Sequence, residues 1–315
     1  MNTTAVIGGD AIKDPWDWRD IPLEGIQEPV AIPEIYDPRP RAQKPFVSHQ
    51  GRLGTCTGHS GQKVKEWQQW KEHGVWVDLS ARWVYANNKL LDGFSGEGSY
   101  SRVAAKVITE VGVCLEEEFP EINNKGLDYY KDISQAKPSA KETAKFHTSK
   151  GYARALLNKS NLQQAIFINT AAILSVPYSQ QGWKTSALRP PTTGETVTGH
   201  SVCAIGYNEK GYIIEDSKGS TWGDNGYGYL PYTYPIWDAW VVTDIPDEWL
   251  RWAKSMPRIV DSVLLDAIYA ELLFRSPDAA AQNYVGKDEN FVREELLKSI
   301  ERAKLHELIN AARNV

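Results

Sequence analysis

The chemistry-bearing residues of this chain gather around Cys56, in HQGRLGTCTGHSGQ. A thiol attacks carbonyls as thiolate, and its ordinary pKa must be lowered first. A helix N-terminus does this through its unpaired N–H groups and its dipole. Cys56 opens a helix-patterned run that reaches His73, so it is placed for reactivity rather than for burial. Acyl transfer also needs donors for a developing oxyanion. The backbone N–H of Cys56 is one. The side-chain amide of Gln50, brought back across a turn eased by Gly51 and Gly54, is the other. A base is offered by His200 at the head of a strand-patterned run, TGHSVCAIGY. Asp216 ends the next such run, and adjacent strands can hold an imidazole and its acceptor in hydrogen-bond register.

The elements that must position these groups are legible in outline. Val64, Trp67 and Lys71 set a helical rhythm after Thr55, with Gly74 as its stop. Gly58 and Gly61 within that helix imply close packing against it. Ser80 caps a second helix to Leu91, and a third runs from Ser101 to Glu110, ended by Gly112. Strands are expected over residues 171–178, 201–207, 211–215, 226–230 and 239–242, with a hairpin turn at 208–211. A helical half followed by a strand-rich half is an α+β layout with two sub-lobes and a cleft between them. Residues 1–34, rich in Pro, Asp and Trp, read as an extended arm, and order is expected to begin near Phe46. Residues 246–315 read as a small helical appendage, paced by Ile268, Leu272 and Arg275, then Phe291, Leu296 and Ser299.

Gln50–x5–Cys56, Gly-His200-Ser-Val and Asp216-Ser-Lys-Gly-Ser-Thr-Trp222-Gly together resemble the papain family of cysteine peptidases. His200 fits the roughly 130–150 residues that family places between its Cys and the later members, and Asp216 runs slightly over. YDPRPRAQKPFVSHQG, LSARWVYANNKL and GYGYLPYTYPIWDAWVV carry the likeness, with emphasis on bacterial members, across residues 35–245. The resemblance implies a two-lobed papain-like fold, with a helical lobe and a strand-rich, barrel-like lobe. It makes Cys56 the nucleophile, His200 the general base, Gln50 the oxyanion donor and Asp216 the orienting residue. Gly54, Thr55, His59, Gly199, Trp183, Lys218 and Trp222 become candidates for the substrate cleft. Several positions depart from the family. Asp216 stands for its usual Asn, Lys218 for its usual Trp, and Thr57-Gly58-His59 for an aromatic followed by Ala-Phe. Leu53 replaces a Cys, so the family's nearby disulfide cannot form. Without the Trp, the His200–Asp216 bond is expected to be wetter, or Lys218 to compete for Asp216. The family's helical prosegment has no counterpart in 1–34, which is expected to lie along the cleft or to anchor a partner through Trp16 and Trp18.

Composition narrows the classes further. Net charge is -5 at pH 7, which does not suggest a nucleic-acid partner. No apolar run approaches the ~20 residues of a membrane span, and no signal peptide is evident, so a cytoplasmic or virion-associated protein is expected. Three cysteines fit a thiol-reducing compartment, with Cys114 and Cys203 as small buried hydrophobes. His73, His147 and His306 read as surface residues. Cys56, His59 and His49 lack the fourth partner of a structural zinc site, so neither metal nor organic cofactor is expected. IYAELLFRSPDAAAQNY and FVREELLKSIE resemble a helical module of bacterial surface and phage tail proteins. The function expected is hydrolysis of a peptide or protein substrate. The rivals are a papain-fold structural component, docked into a virion or surface assembly through 1–34 and 246–315, and acyl transfer by the same Cys-His-Asp set.

Overall fold

The computed structural model describes residues 10–243, apart from 18, 43, 123 and 124, together with Lys287 and Val292. The chain divides into two compact units, 1–14 with 20–250 and 15–19 with 251–315. The expected C-terminal helices and Trp18 lie outside the described residues. In chain order the strands are β1 (Ala11–Ile12), β2 (Ser99–Tyr100), β3 (Gly151–Arg154), β4 (Ala172–Tyr178), β5 (Thr198–Asn208), β6 (Gly211–Glu215), β7 (Tyr227–Leu230) and β8 (Asp238–Thr243). The α-helices are α1 (Arg39–Ala42), α2 (Cys56–His73), α3 (Ala81–Leu91), α4 (Ser101–Glu110), α5 (Leu127–Tyr130), α6 (Ala140–Phe146) and α7 (Lys159–Asn169).

Helices α2, α3 and α4 begin and end close to where the sequence places them. Gly74 closes α2 in the left-handed region at φ 68°, and the Ser80 side chain accepts from Trp83 N–H at the start of α3. The two α2 glycines are where α3 and α4 press in. A Cβ on Gly58 would lie 2.6 Å from Ala81 O, and one on Gly61 would lie 3.1 Å from Val84 and 3.3 Å from Ala104. The strand lobe is an antiparallel six-stranded sheet in the order β3-β8-β4-β5-β6-β7. β3 and α7 were not legible in the sequence. β3 is four residues long, and α7 carries only a weak apolar stripe.

Helix α2 is buried along nearly its whole length although it is rich in polar residues. Those side chains satisfy one another, because burying them unpaired would be costly. Lys65 Nζ reaches Thr148 O (2.7 Å), Gln68 Oε1 (3.0 Å) and Ser149 Oγ (3.1 Å). A serine chain links α2 to the sheet, with Ser60 to Ser201 at 2.6 Å, Ser201 to Ser101 at 3.0 Å and Ser101 to Ser175 at 2.7 Å. Lys44 Nζ sits between Glu66 of α2 (2.8 Å) and Glu215 of β6 (2.7 Å), and all three side chains are buried. Trp67 Nε1 donates to Glu215 Oε2 at 2.7 Å, and Leu79 N–H donates to Glu66 Oε1 at 3.0 Å. Burial works against the Lys44 ammonium, but the two carboxylates hold its pKa above the ordinary lysine value.

Two expectations are corrected. Order begins at the start of the described chain, well before Phe46. Ala11, Leu23, Ile26 and Ala42 are buried, and β1 pairs in parallel with β2. The Asp14 carboxylate anchors this segment by accepting from Trp240 Nε1 (2.7 Å) and from Arg102 N–H (3.1 Å). A stretch without period looked like a free arm because its anchors are single residues with distant partners. His147 is half-buried and hydrogen-bonded to Gln69 rather than free on the surface. Among the described residues no helix is long and apolar enough to cross a membrane.

Removing one partner of a buried ion network leaves the others uncompensated. Lys44→Met is therefore expected to lower unfolding free energy by about 3–5 kcal/mol. Urea denaturation followed by tryptophan fluorescence measures this, and a loss below about 1 kcal/mol would deny Lys44 that role.

Candidate active site

Cys56 is the first residue of α2, and Thr55 occupies the cap position before it. His200 lies on β5 opposite Val176 of β4. Asp216 follows β6 directly, and its N–H donates to Gly226 O at 3.0 Å, which fixes the backbone there. His200 and Asp216 are fully buried and meet at 2.7 Å, Nε2 to Oδ1. With Nε2 so engaged, Nδ1 is the nitrogen left for the thiol; it accepts or donates no hydrogen bond among the described residues, and Cys56 and His200 are coupled through their charges.

The electrostatics follow from these contacts. Burial pushes the Cys56 thiol up, but the proximity and positive charge of His200 more than offset it, so the thiol lies below its ordinary pKa. Backbone N–H groups of Asp10 and Ser201 add to the lowering. Burial also works against a charged His200, while the charge and hydrogen bond of Asp216 raise it above the usual imidazole value. Asp216 is held far below the carboxylate range, against its burial, by Lys218 and His200. Thiol down and imidazole up is the signature of a thiolate–imidazolium pair.

Gln50 is buried beside this pair. Its N–H donates to Ser217 O at 2.9 Å, its Oε1 accepts from Ser217 Oγ, and its Nε2 donates to Leu53 O at 2.8 Å. The side chain is thus fixed by the residue next to Asp216. Ser217 was not singled out from the sequence, although its place beside Asp216 was a usable signal.

Lys218 answers the open question about the missing aromatic. Its Nζ pairs with Asp216 Oδ2, the oxygen His200 does not use. The bond is not left wet, since both His200 and Asp216 are fully buried. Shielding comes from elsewhere in the chain. Trp183, 2% exposed, sets its ring edge-on to His200 with centroids 5.3 Å apart, and Tyr178 stands 5.1 Å away. Trp183 is therefore part of the packed wall behind His200, not an open cleft surface. Trp222 stacks on it at 6.2 Å and donates its Nε1 to Trp183 O at 2.9 Å. His59 is likewise not at the cleft surface. It is buried one turn along α2, with Nδ1 2.9 Å from Ser48 Oγ, and its pKa is pushed well down by burial.

Gly54, Thr55 and Gly199 are buried too, and for Gly54 and Gly199 the reason is the N-terminal segment. A Cβ on Gly54 would meet Asp10 Oδ2 at 2.5 Å, one on Gly98 would meet Asp10 O at 2.0 Å, and one on Gly199 would meet Ala11 O at 1.8 Å. Asp10–Ile12 thus runs over Cys56, between β2 and the head of β5. Of the N-terminal residues, Asp10 and Ala11 pack against Gly54, Gly98 and Gly199. Nothing in their sequence marks Asp10 as the residue over the thiol.

The family model described as papain family cysteine protease matches residues 32–233. An uncharacterized peptidase C1-like protein of Acanthamoeba polyphaga mimivirus is 29% identical over 222 residues, covering 63% of this chain and 70% of that protein. Cathepsin L of Sarcophaga peregrina is 23% identical over 212 residues, covering 63% of this chain and 58% of its own. Among solved structures, xylellain, a cysteine protease from Xylella fastidiosa, superposes with a TM-score of 0.64 at 21% identity, over 78% of this chain and 99% of that one. These likenesses define a hydrolase of the cysteine peptidase class on a two-lobed α+β fold. The chain belongs to the papain family of cysteine proteases.

Gly98 has an ordinary φ, so alanine fits its backbone, and the nearest atoms such a Cβ would meet all belong to Asp10. Gly98→Ala is expected to strain the covering segment by about 1–3 kcal/mol. Alkylation of Cys56 by iodoacetamide should then accelerate by roughly 5- to 150-fold, read by mass spectrometry of the Cys56 peptide. An unchanged rate would mean that Asp10–Ile12 is not what limits access.

Proposed function

We propose that the protein is a latent cysteine endopeptidase, in which Cys56 and His200 act as a thiolate–imidazolium pair and Asp10–Ile12 must leave before substrate enters. The thiolate attacks the carbonyl carbon of a peptide bond. The oxyanion is received by the backbone N–H of Cys56, at the helix N-terminus, and by the Gln50 side-chain amide. His200 passes its proton to the departing amine, so the C–N bond breaks and a thioester remains. A water molecule, giving its proton to His200, then hydrolyses the thioester and returns the free thiol. Asp216 acts through the 2.7 Å bond to Nε2, which keeps Nδ1 turned to the sulfur. The observation that carries this reading is that bond together with the opposite pKa shifts of Cys56 and His200.

The arrangement supplies what each step asks for. Helix α2 gives the thiolate its stabilising N-terminus. Ser217 fixes the Gln50 amide in advance, so little reorganisation is needed when charge develops. The two-lobed fold brings Cys56 from the helical lobe and His200 from the sheet lobe to one seam, where an extended chain such as β1 already fits.

Cys56→Ala is expected to abolish both peptide hydrolysis and labelling by an epoxide thiol-protease probe. Gln50→Ala should keep the labelling site but lower kcat by about 10²–10³. Hydrolysis of a denatured protein substrate, followed by mass spectrometry, gives both numbers. Undiminished turnover by the Cys56→Ala protein would remove the assignment.

A further inference from the structure

Lys218 is the group in the site that the mechanism above does not use. Its Nζ pairs with Asp216 Oδ2 while Asp216 Oδ1 holds His200 Nε2 at 2.7 Å and Ser217 N–H at 2.7 Å. The ammonium is faced by three aromatic rings, with centroids 4.8 Å away at Tyr178, 5.0 Å at Trp183 and 5.1 Å at Trp222. Its side chain is 11% exposed. The rings are themselves fixed. Trp183 Nε1 donates to Tyr234 OH at 2.9 Å, and Trp222 is bonded to the Trp183 backbone. A cation held by ring quadrupoles on one side and a carboxylate on the other is positioned rather than left loose in solvent.

The chemistry gives the seat a purpose. A buried carboxylate beside an imidazolium binds its proton more tightly as the surroundings lose polarity. An imidazolium held too firmly is a poor acid toward a departing amine. A neutral acceptor in place of Asp216 would orient the ring without that penalty. The Asp216–Lys218 couple is formally neutral and presents one carboxylate oxygen to Nε2.

We propose that Lys218 is a positioning residue that offsets part of the charge of Asp216, so that the caged couple serves His200 as a weaker, more nearly neutral hydrogen-bond acceptor than a lone carboxylate. This rests on the proposed roles of Cys56 and His200. The other groups around the ring are fixed in the comparison. Helix α2 presents Cys56 and, one turn along, His59. β4 presents the Tyr178 phenol and the loop after it the uncharged Trp183. The Asp10 and Glu97 carboxyls lie on the Cys56 side, where burial and their mutual repulsion raise Asp10.

The test follows the His200 imidazole by ¹⁵N NMR in the full chain, with kcat/KM against pH measured in parallel. Four proteins are compared: wild type, Lys218→Met, Asp216→Asn and the double variant. Lys218→Met leaves the carboxylate uncompensated, so both the His200 titration and the pH profile should move upward by on the order of one pH unit. Asp216→Asn leaves the ammonium uncompensated and should move them downward. The double variant should return close to wild type, which a merely structural lysine would not do. If Lys218→Met fails to fold, the double variant against Asp216→Asn still decides. A Lys218→Met titration that superposes on wild type, or a double variant no nearer wild type than Asp216→Asn, overturns the proposal. Opposite shifts in the two single variants of a protein that hydrolyses no peptide would overturn the proposed function instead and leave the charge compensation standing.

Discussion

One buried ammonium organises this molecule. Lys44 joins the segment that leads into Gln50, the middle of α2 through Glu66, and the end of β6 through Glu215. Each of those three elements then carries a residue of the proposed site: Gln50 on the first, Cys56 at the head of the second, and Asp216 at the position after the third. Taking three charges from water is costly, and their mutual attraction recovers that cost only in good geometry. Trp67 and the Leu79 amide supply the remaining hydrogen bonds. The network is therefore less a source of net stability than a device of register. A slip of one residue in any of the three segments would leave a buried charge unpaired, so the site residues are kept in step by electrostatics outside the site.

The same logic recurs closer to the chemistry. His200, Asp216 and Lys218 form a second buried set of alternating sign. In both sets a lysine stands against carboxylates with aromatic rings alongside. Lys44 lies 5.4 Å from the Phe46 and Trp76 centroids, as Lys218 does at 4.8–5.1 Å from its three. Rings tolerate a cation where plain hydrocarbon would not, which lets charge be sealed from water without being neutralised by proton loss.

The sequence was most legible where local chemistry and topology coincide. Helices α2, α3 and α4 carry their own caps and stops, and the β4–β6 strands carry apolar runs between turn signals. The pair Cys56 and His200 could be singled out because each opens an element and their residue types match one reaction. What was not legible depends on partners far along the chain. Trp183 looked like a cleft residue because it lies in a loop ahead of His200; it is a wall because Trp222, Tyr178 and Tyr234 come to it. His59 looked available because it is one turn from Cys56, and is buried with Ser48 and Glu121 beside its ring. The ordering of residues 10–42 was hidden for the same reason. Single anchors such as Asp14 and Leu23 leave no period in the sequence.

The short parallel ladder between β1 and β2 has a consequence beyond geometry. A segment tethered to the domain it covers competes with incoming chains at an effective concentration in the millimolar range. Free polypeptide at micromolar levels displaces it only by binding the seam correspondingly more tightly. In the latent peptidase proposed above, turnover is governed by whatever cuts or pulls away Asp10–Ile12.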